Sequence, residues 1–539
     1  MALTLPRGLS LVKLTVIFAV ILCLVFFKSL FLPSSGVSPY NLAPAAESWW
    51  HGFKGDSSAA VSDVDTELDY SQLQDVDLTS EITDFEDPVP APSSASSAGE
   101  AKGTAPRPTA PGRMYKPFDP SVPACRQLPG ADRVVVIVKT GATEVFARLP
   151  QQLITLAACV PNLMIFSDME QDVGQFHLYD ALDEIGPEYR DHHEDFDFYH
   201  DIHRAHAMHG DVSLLGSQKG WNLDKWKNIP MLHKAYTQYP KADWFVTIDA
   251  DTYLGWTNLL LLLNRLNPED PLYAGCVYWH GPTQFAQGGT GYLLSRNAVE
   301  KFEAIRTPER IADWERETST ICCGDVMLGV AMGQAGVDVR GSWPMFQVEP
   351  PCSLSWTPPY WCSPAITWHH VHTYDIQALW EFEKTWINRT WTDENPGSVP
   401  YLYKDAFEYF VQPNIADKKL DWNNYSGDKI FTKPAEDHVK EEHDWDHKSD
   451  EEKQQMWDEL NELQKHSVES FDACRAACLD DGDCKQFSWH PGTCKLNESI
   501  KVGHAVETSE EYASGWVLER VQAFKESQGT CEEPRFSID

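Results

Sequence analysis

The chain has 539 residues, 42% of them hydrophobic, which is enough for two or three domains with real cores. It carries 80 Asp and Glu against 44 Lys and Arg, a formal net charge of −36. So acidic a surface excludes a nucleic-acid partner, which needs a basic face.

Residues 14–27 are free of charge, and reading on through Lys28 to Leu32 extends the apolar segment to 14–32. As a helix it would span about 28 Å, close to the ~30 Å of a bilayer core. Arg7 and Lys13 precede it, so residues 1–13 read as a cytoplasmic tail. The alternative is a cleaved signal peptide, but no small-residue cleavage site follows directly, which favours an uncleaved signal anchor. Either way the bulk of the chain enters the secretory pathway. The cysteines agree, since 12 of the 13 lie beyond Cys23, an even number that suits disulfides in an oxidising compartment. Glycosylation sequons stand at Asn388, Asn424 and Asn497. Residues 33–115 are rich in Ser, Pro, Ala, Gly and acid and predict a disordered stem.

Order begins near Arg133. A β-branched strand at 134–138 ends in Lys139-Thr140-Gly141, and a helical stretch follows through Leu156. A second strand at 163–166 ends in Ser167-Asp168, and a helix at 223–239 leads into an apolar strand at 244–248. Strands alternating with helices predict a doubly wound, Rossmann-like α/β domain. The strand at 244–248 ends in Asp249-Ala250-Asp251. Two carboxylates at the carboxyl end of such a strand sit where open α/β sheets bind ligands. They are hard oxygen ligands for Mg²⁺ or Mn²⁺, ions commonly shared with phosphates. The plainer alternative is that the pair caps a turn.

Downstream, Gln287-Gly288-Gly289-Thr290-Gly291 precedes an apolar strand and a helix at 297–305. Glycine allows close approach of backbone to a ligand, although a turn without a ligand also uses it. In Cys322-Cys323-Gly324-Asp325 the carboxylate opens a helix, as a functional acid or as a helix cap. Residues 366–372 set His369, His370 and His372 beside an apolar strand. Imidazole suits a transition metal better than Mg²⁺, and surface histidines on an edge strand are the alternative. Among the aromatics of 343–368, Trp356 and Trp361 either line a ligand cleft shaped by a Cys352–Cys362 disulfide, the acceptor cleft if the chain transfers a sugar, or form an aromatic mini-core. Residues 416–467 read as an acidic linker or helix. The spacing Cys474-x3-Cys478-x5-Cys484-x9-Cys494 then marks a small stapled module over 468–521, with a tail at 522–539.

These motifs occur in a recognisable order: RVVVIVKTG, DWFVTIDADTYLGWTNLLLLL, GGTGYLLSRNAVEKF, GDVMLG and ITWHHVHTYDIQALWEFE. Together they resemble the inverting glycosyltransferases of the Fringe and core 1 β1,3-galactosyltransferase group, glycosyltransferase family 31. The resemblance implies a GT-A domain over 116–415, a UDP-sugar donor, Mn²⁺, a glycan or glycoprotein acceptor, and a single-pass type II Golgi membrane protein with a lumenal catalytic domain. Position by position, it puts Asp249 and Asp251 at the metal and nucleotide, with Asp251 the direct ligand. His369 falls on the later metal-binding histidine, with His370 as the alternative. Thr140 and Gly141 fall at the uridine. Lys225 or Lys227 would meet a phosphate or lie on a solvated helix face. Gly288, Gly289 and Gly291 match the acceptor-side loop, and Asp325 falls on the catalytic base. Gly324 departs from the pattern, since many relatives carry Glu there. The C-terminal cysteine spacing, with Gln486-Phe487-Ser488-Trp489, resembles a PAN/apple-type module, a protein or carbohydrate binder or else a structural cap. The implied activity is inverting, metal-dependent transfer of a hexose, galactose foremost. The competing expectation is an inactive lectin, chaperone or adhesion protein that works through the cysteine module.

Overall fold

The computed structural model describes residues 122–216, 219–392, 395–434 and 448–539. The anchor expected at 14–32 and the stem at 33–115 lie outside the described residues. Among the described residues, no helix is long and apolar enough to cross a membrane.

One eight-stranded sheet organises the larger part of the chain. Its strands are β1 (Val134–Lys139), β2 (Asn162–Ser167), β3 (Gln171–Val173), β4 (Phe176–Asp180), β5 (Trp244–Asp249), β6 (Tyr273–Gly275), β7 (Tyr292–Ser295) and β8 (Val339–Gly341). They lie in the order β8-β6-β7-β5-β1-β2-β4-β3. β1 runs parallel to both β2 and β5, whereas β7 is antiparallel to β5. All six residues of β1 are buried, as expected of a central parallel strand covered on both faces. Successive side chains serve opposite cores. Val135 and Ile137 pack with Phe245, Met231 and Leu328, while Val136 and Val138 pack with Val246, Leu149 and Leu259. This mixed α/β architecture with a large, partly parallel sheet fits the expected GT-A arrangement.

The topology places the functional edge. In the β1–β5 register Lys139 lies opposite Asp249, so both strands deliver polar residues to one rim. Because β7 runs against β5, with Tyr292 opposite Thr247, the glycine loop before β7 arrives at that rim too. Two elements differ from the sequence expectation. β5 continues through Asp249, and the helix expected at 223–239 divides into Gly220–Asp224 and Asn228–Gln238. The break turns Lys227 inward.

The C-terminal part is a five-stranded antiparallel sheet in the order Lys419–Leu420, Ala513–Trp516, Gln486–His490, Thr493–Asn497 and Lys429–Thr432. Cys474–Cys494 and Cys478–Cys484 staple the helix Phe471–Asp480 to it. This sheet begins at Lys419, inside the segment expected to be a linker. Residues 435–447 of the acidic run lie outside the described residues, and the rest forms helices Asp450–Glu459 and Glu462–Ser467.

The two parts share a core. Trp356, Trp361, Trp368, Tyr403 and Phe407 pack with Ile500, Val502, Trp516, Val521 and Phe524 of the C-terminal part. This corrects the expected acceptor role of Trp356 and Trp361, which are only 1% and 5% exposed and leave no ring face for a sugar. The expected Cys352–Cys362 disulfide is corrected as well. Cys362 bonds Cys531 of the tail, and Cys352 is unpaired, its carbonyl accepting from the Gly503 N–H at 2.9 Å. The other pairs are Cys125–Cys159 and the adjacent Cys322–Cys323.

Candidate active site

At the rim of the sheet, Lys139 ends an otherwise apolar strand. Its Nζ lies 2.5 Å from Asp224 and 3.4 Å from Asp249. Burial opposes the charge on Lys139, but the two carboxylates outweigh it and raise its pKa. Burial dominates at Asp249, pushing its carboxyl up to about 6 against the pull of Lys139. Asp249, expected among the metal ligands, lies 3.4 Å from the Lys139 ammonium and outside the group formed by Asp251, His369 and His370.

Asp251 has a different partner. A small sheet pairs Thr367–Trp368 with Tyr253–Leu254, Trp368 opposite Tyr253, and so brings residues more than a hundred positions apart into contact. The Val371 N–H donates to the Asp251 carbonyl at 3.0 Å, and His369 Nε2 lies 3.5 Å from Asp251 Oδ1. Asp251, His369 and His370 each offer a ligand atom within 4.8 Å of the others. Burial disfavours the Asp251 carboxylate, but His369 outweighs it and holds the pKa below the usual range. His369 Nδ1 is buried and has no hydrogen-bond partner among the described residues. A mixed carboxylate–imidazole set of this kind fits a divalent transition-metal ion better than an all-oxygen ion such as Ca²⁺. His372 serves elsewhere, capping the helix Thr373–Thr390 together with Asp375.

The glycine loop joins this group to Asp325. The Gly288 N–H donates to Asp325 Oδ2 at 2.8 Å, while the next residue, Gly289, lies under the His369 ring, where a Cβ would overlap it. The loop is closed by Gly291 N–H to Gly288 O at 2.9 Å and anchored by Thr252 Oγ1 to Gly289 O at 2.6 Å. Asp325 occupies the first turn of helix Gly324–Gln334, and Cys323 is the residue at its N-cap. Burial raises the Asp325 pKa, and the Gly288 N–H only partly offsets this. At Gly324 a Cβ would come 2.7 Å from the Lys225 carbonyl oxygen, so a larger residue there would force the backbone to shift.

Across β1, the Thr140 hydroxyl is buried and has no partner among the described residues. Gly141 follows it beside Asp168, which accepts the Ala142 N–H at 2.6 Å. Lys227 does not lie on a solvated face. It is 2% exposed and donates to the Thr140 carbonyl at 2.8 Å, with Asp168 at 3.4 Å. It therefore shapes the floor under Thr140 rather than offering a free ammonium. Lys225 pairs with Asp195 at 2.8 Å. The sequence reading missed Lys139, Asp168 and Asp224 as site residues. A charge ending an all-apolar strand was the available signal for Lys139.

Carboxylates and histidines thus gather at the tips of a partly parallel α/β sheet. Residues 222–342 match the Fringe-like family, a span that includes Asp249, Asp251, the glycine loop and Asp325. Over 233 residues the chain is 26% identical to glycoprotein-N-acetylgalactosamine 3-beta-galactosyltransferase 1 of Xenopus laevis, an alignment covering 38% of this chain and 60% of that protein. The chain thus spans 60% of the length of this relative. Residues 222–342 are thus Fringe-like, in keeping with the resemblance drawn from the motifs.

Proposed function

We propose that the chain transfers a hexose, galactose foremost, from a UDP-sugar to a hydroxyl of a glycan or glycoprotein, with inversion and with Mn²⁺. In this reading it is a type II Golgi membrane protein held by residues 14–32, its catalytic domain in the lumen. The observation that carries the reading is the glycine loop, where consecutive residues Gly288 and Gly289 meet Asp325 and His369. A carboxylate and a metal-ligating set are thereby joined across one short loop. The name of the Xenopus relative supports galactose and a glycoprotein acceptor.

Asp251, His369 and His370 would hold the ion, which supplies Lewis-acid stabilisation to a diphosphate. The protein's own residues do the rest. Thr140, next to Gly141, offers an unpartnered hydroxyl to the nucleoside, and Lys139 fixes Asp249 at the rim. Asp325 takes the proton of the acceptor hydroxyl as its oxygen bonds the anomeric carbon. The carbon–oxygen bond to UDP breaks on the opposite face. Burial suits Asp325 to this task, because a raised pKa makes a carboxylate a stronger base near neutral pH. The C-terminal module, PAN/apple-like in its cysteine spacing, acts here as a structural cap over the shared aromatic core.

The test is a screen of UDP-sugars for transfer or hydrolysis by the purified protein. Turnover of UDP-galactose that disappears with EDTA and returns with Mn²⁺ supports the proposal. A folded protein that neither turns over any UDP-sugar nor gains thermal stability from UDP plus Mn²⁺ refutes it.

A further inference from the structure

The three sequons differ sharply in their surroundings. Asn424 is fully buried: its Nδ2 donates to the Phe487 carbonyl at 3.1 Å, and its Oδ1 accepts from Ser426 Oγ at 2.7 Å. The hydroxyl residue of that sequon, Ser426, is buried too and accepts from Gln486 Nε2 at 3.2 Å. Asn497 is 1% exposed. Its Nδ2 donates to Ser499 Oγ at 2.9 Å, and its Oδ1 accepts from the Gly427 and Asp428 N–H groups at 3.0 and 3.2 Å. These two amides tie residues 424–428 into the C-terminal sheet. A glycan on either Nδ2 would require space that a buried nitrogen lacks, and at Asn497 it would also replace an N–H that donates to Ser499.

Asn388 is exposed near the end of helix Thr373–Thr390. Its neighbours are settled without it: the Arg389 guanidinium lies 4.6 Å over the Trp386 ring, and Thr390 Oγ1 donates to the Trp386 carbonyl at 2.8 Å. At ~1.5 Å per residue, Asn388 stands about 24 Å along the helix from His372, so a large substituent there clears the histidine cluster.

We infer that Asn388 is the N-glycosylation site of this protein and that Asn424 and Asn497 stay unmodified as structural amides. The inference rests on the lumenal placement proposed above. The co-substrate is a lipid-linked oligosaccharide diphosphate. Asn388 Nδ2 bonds the anomeric carbon and loses a proton, and the carbon–oxygen bond to the diphosphate breaks. Copies modified at Asn424 or Asn497 cannot close the C-terminal sheet, so the folded protein lacks them.

The full chain carrying a C-terminal Asn-Val-Thr sequon followed by a long flexible tail is expressed in a eukaryotic secretory host, and the folded fraction is treated with peptide-N-glycosidase in heavy-oxygen water. Peptide mass spectrometry is expected to show labelled Asp at position 388 and at the extension, and none at 424 or 497. Asn388→Gln is expected to lose the mobility shift of one glycan. A modified extension with bare Asn388, or label at 424 or 497, overturns the inference and leaves the lumenal reading standing. A bare extension together with bare Asn388 overturns both.

Discussion

The ring of His369 occupies the space that any side chain at Gly289 would need. Gly289→Ala must therefore push the imidazole off the backbone and away from Asp251. Overpacking of this kind costs about 1–3 kcal/mol of stability. The more specific outcome concerns ligand binding. Wild-type protein should gain about 2.7 kcal/mol at a hundred times Kd of UDP with Mn²⁺, and the variant little or none. Melting curves with and without UDP and Mn²⁺ check this. Equal ligand-induced shifts in the two proteins would show that His369 does not hold the ion.

Asp325 should govern the acid limb of activity. Its carboxyl is raised by burial, so it remains protonated over a wider acid range than an exposed Asp. A protonated carboxyl cannot act as a base, so kcat/KM should fall as pH drops through a pKa above the usual ~3.9. Asp325→Asn should lose about 10²–10⁴ in kcat while still binding UDP and Mn²⁺. The stability sign runs the other way. A raised folded pKa destabilises the folded protein above that pKa, and the penalty fades as pH falls toward the unfolded value. Asp325→Asn should therefore be as stable as wild type or more so at neutral pH, with a flatter acid profile. Full transfer activity in a folded Asp325→Asn protein excludes it as the base.

How far the sequence revealed this site depended on local pattern. β1, β2 and β5 were readable because β-branched, apolar runs are buried on both faces, and each ended at a polar residue that marks the rim. The glycine loop and Asp325 were readable from a motif of fixed order. The motif order also set His369 beside Asp251, but the two-residue strand match between Thr367–Trp368 and Tyr253–Leu254 that joins them is too short to read from sequence. Trp356 and Trp361 misled for a related reason. Aromatic residues look alike on a sugar platform and in a core, and only the C-terminal sheet, arriving from far along the chain, decides between the two.

Lys139 should prove a structural cation whose loss is felt at the rim. Removing it would leave Asp249 without its cation and Asp224 with only Lys227, 3.8 Å away, and breaking a buried pair costs about 3–5 kcal/mol. Lys139→Met is expected to lower the urea midpoint and the affinity for UDP together. Adding Asp224→Asn should recover part of the stability, because one stranded charge is then gone. A double variant no better than Lys139→Met alone refutes the coupling.

The C-terminal module should be inseparable from the catalytic part. Ile500, Val502 and Trp516 fill the core around Trp356 and Trp368, and the Trp356 N–H donates to the Ile500 carbonyl at 2.8 Å. The Cys362–Cys531 bond, 169 positions apart in sequence, fastens the tail beside the same aromatic residues. Cys362→Ser should cost about 2–5 kcal/mol, read as a lower denaturant midpoint. A chain ending before the module, near residue 415, would bare those tryptophans and should aggregate rather than fold. Cys362→Ser supplies the graded test, because it leaves the packed core in place. If the shortened chain is soluble and transfers sugar at the wild-type rate, the module is an appended binder and the shared core carries no weight in catalysis.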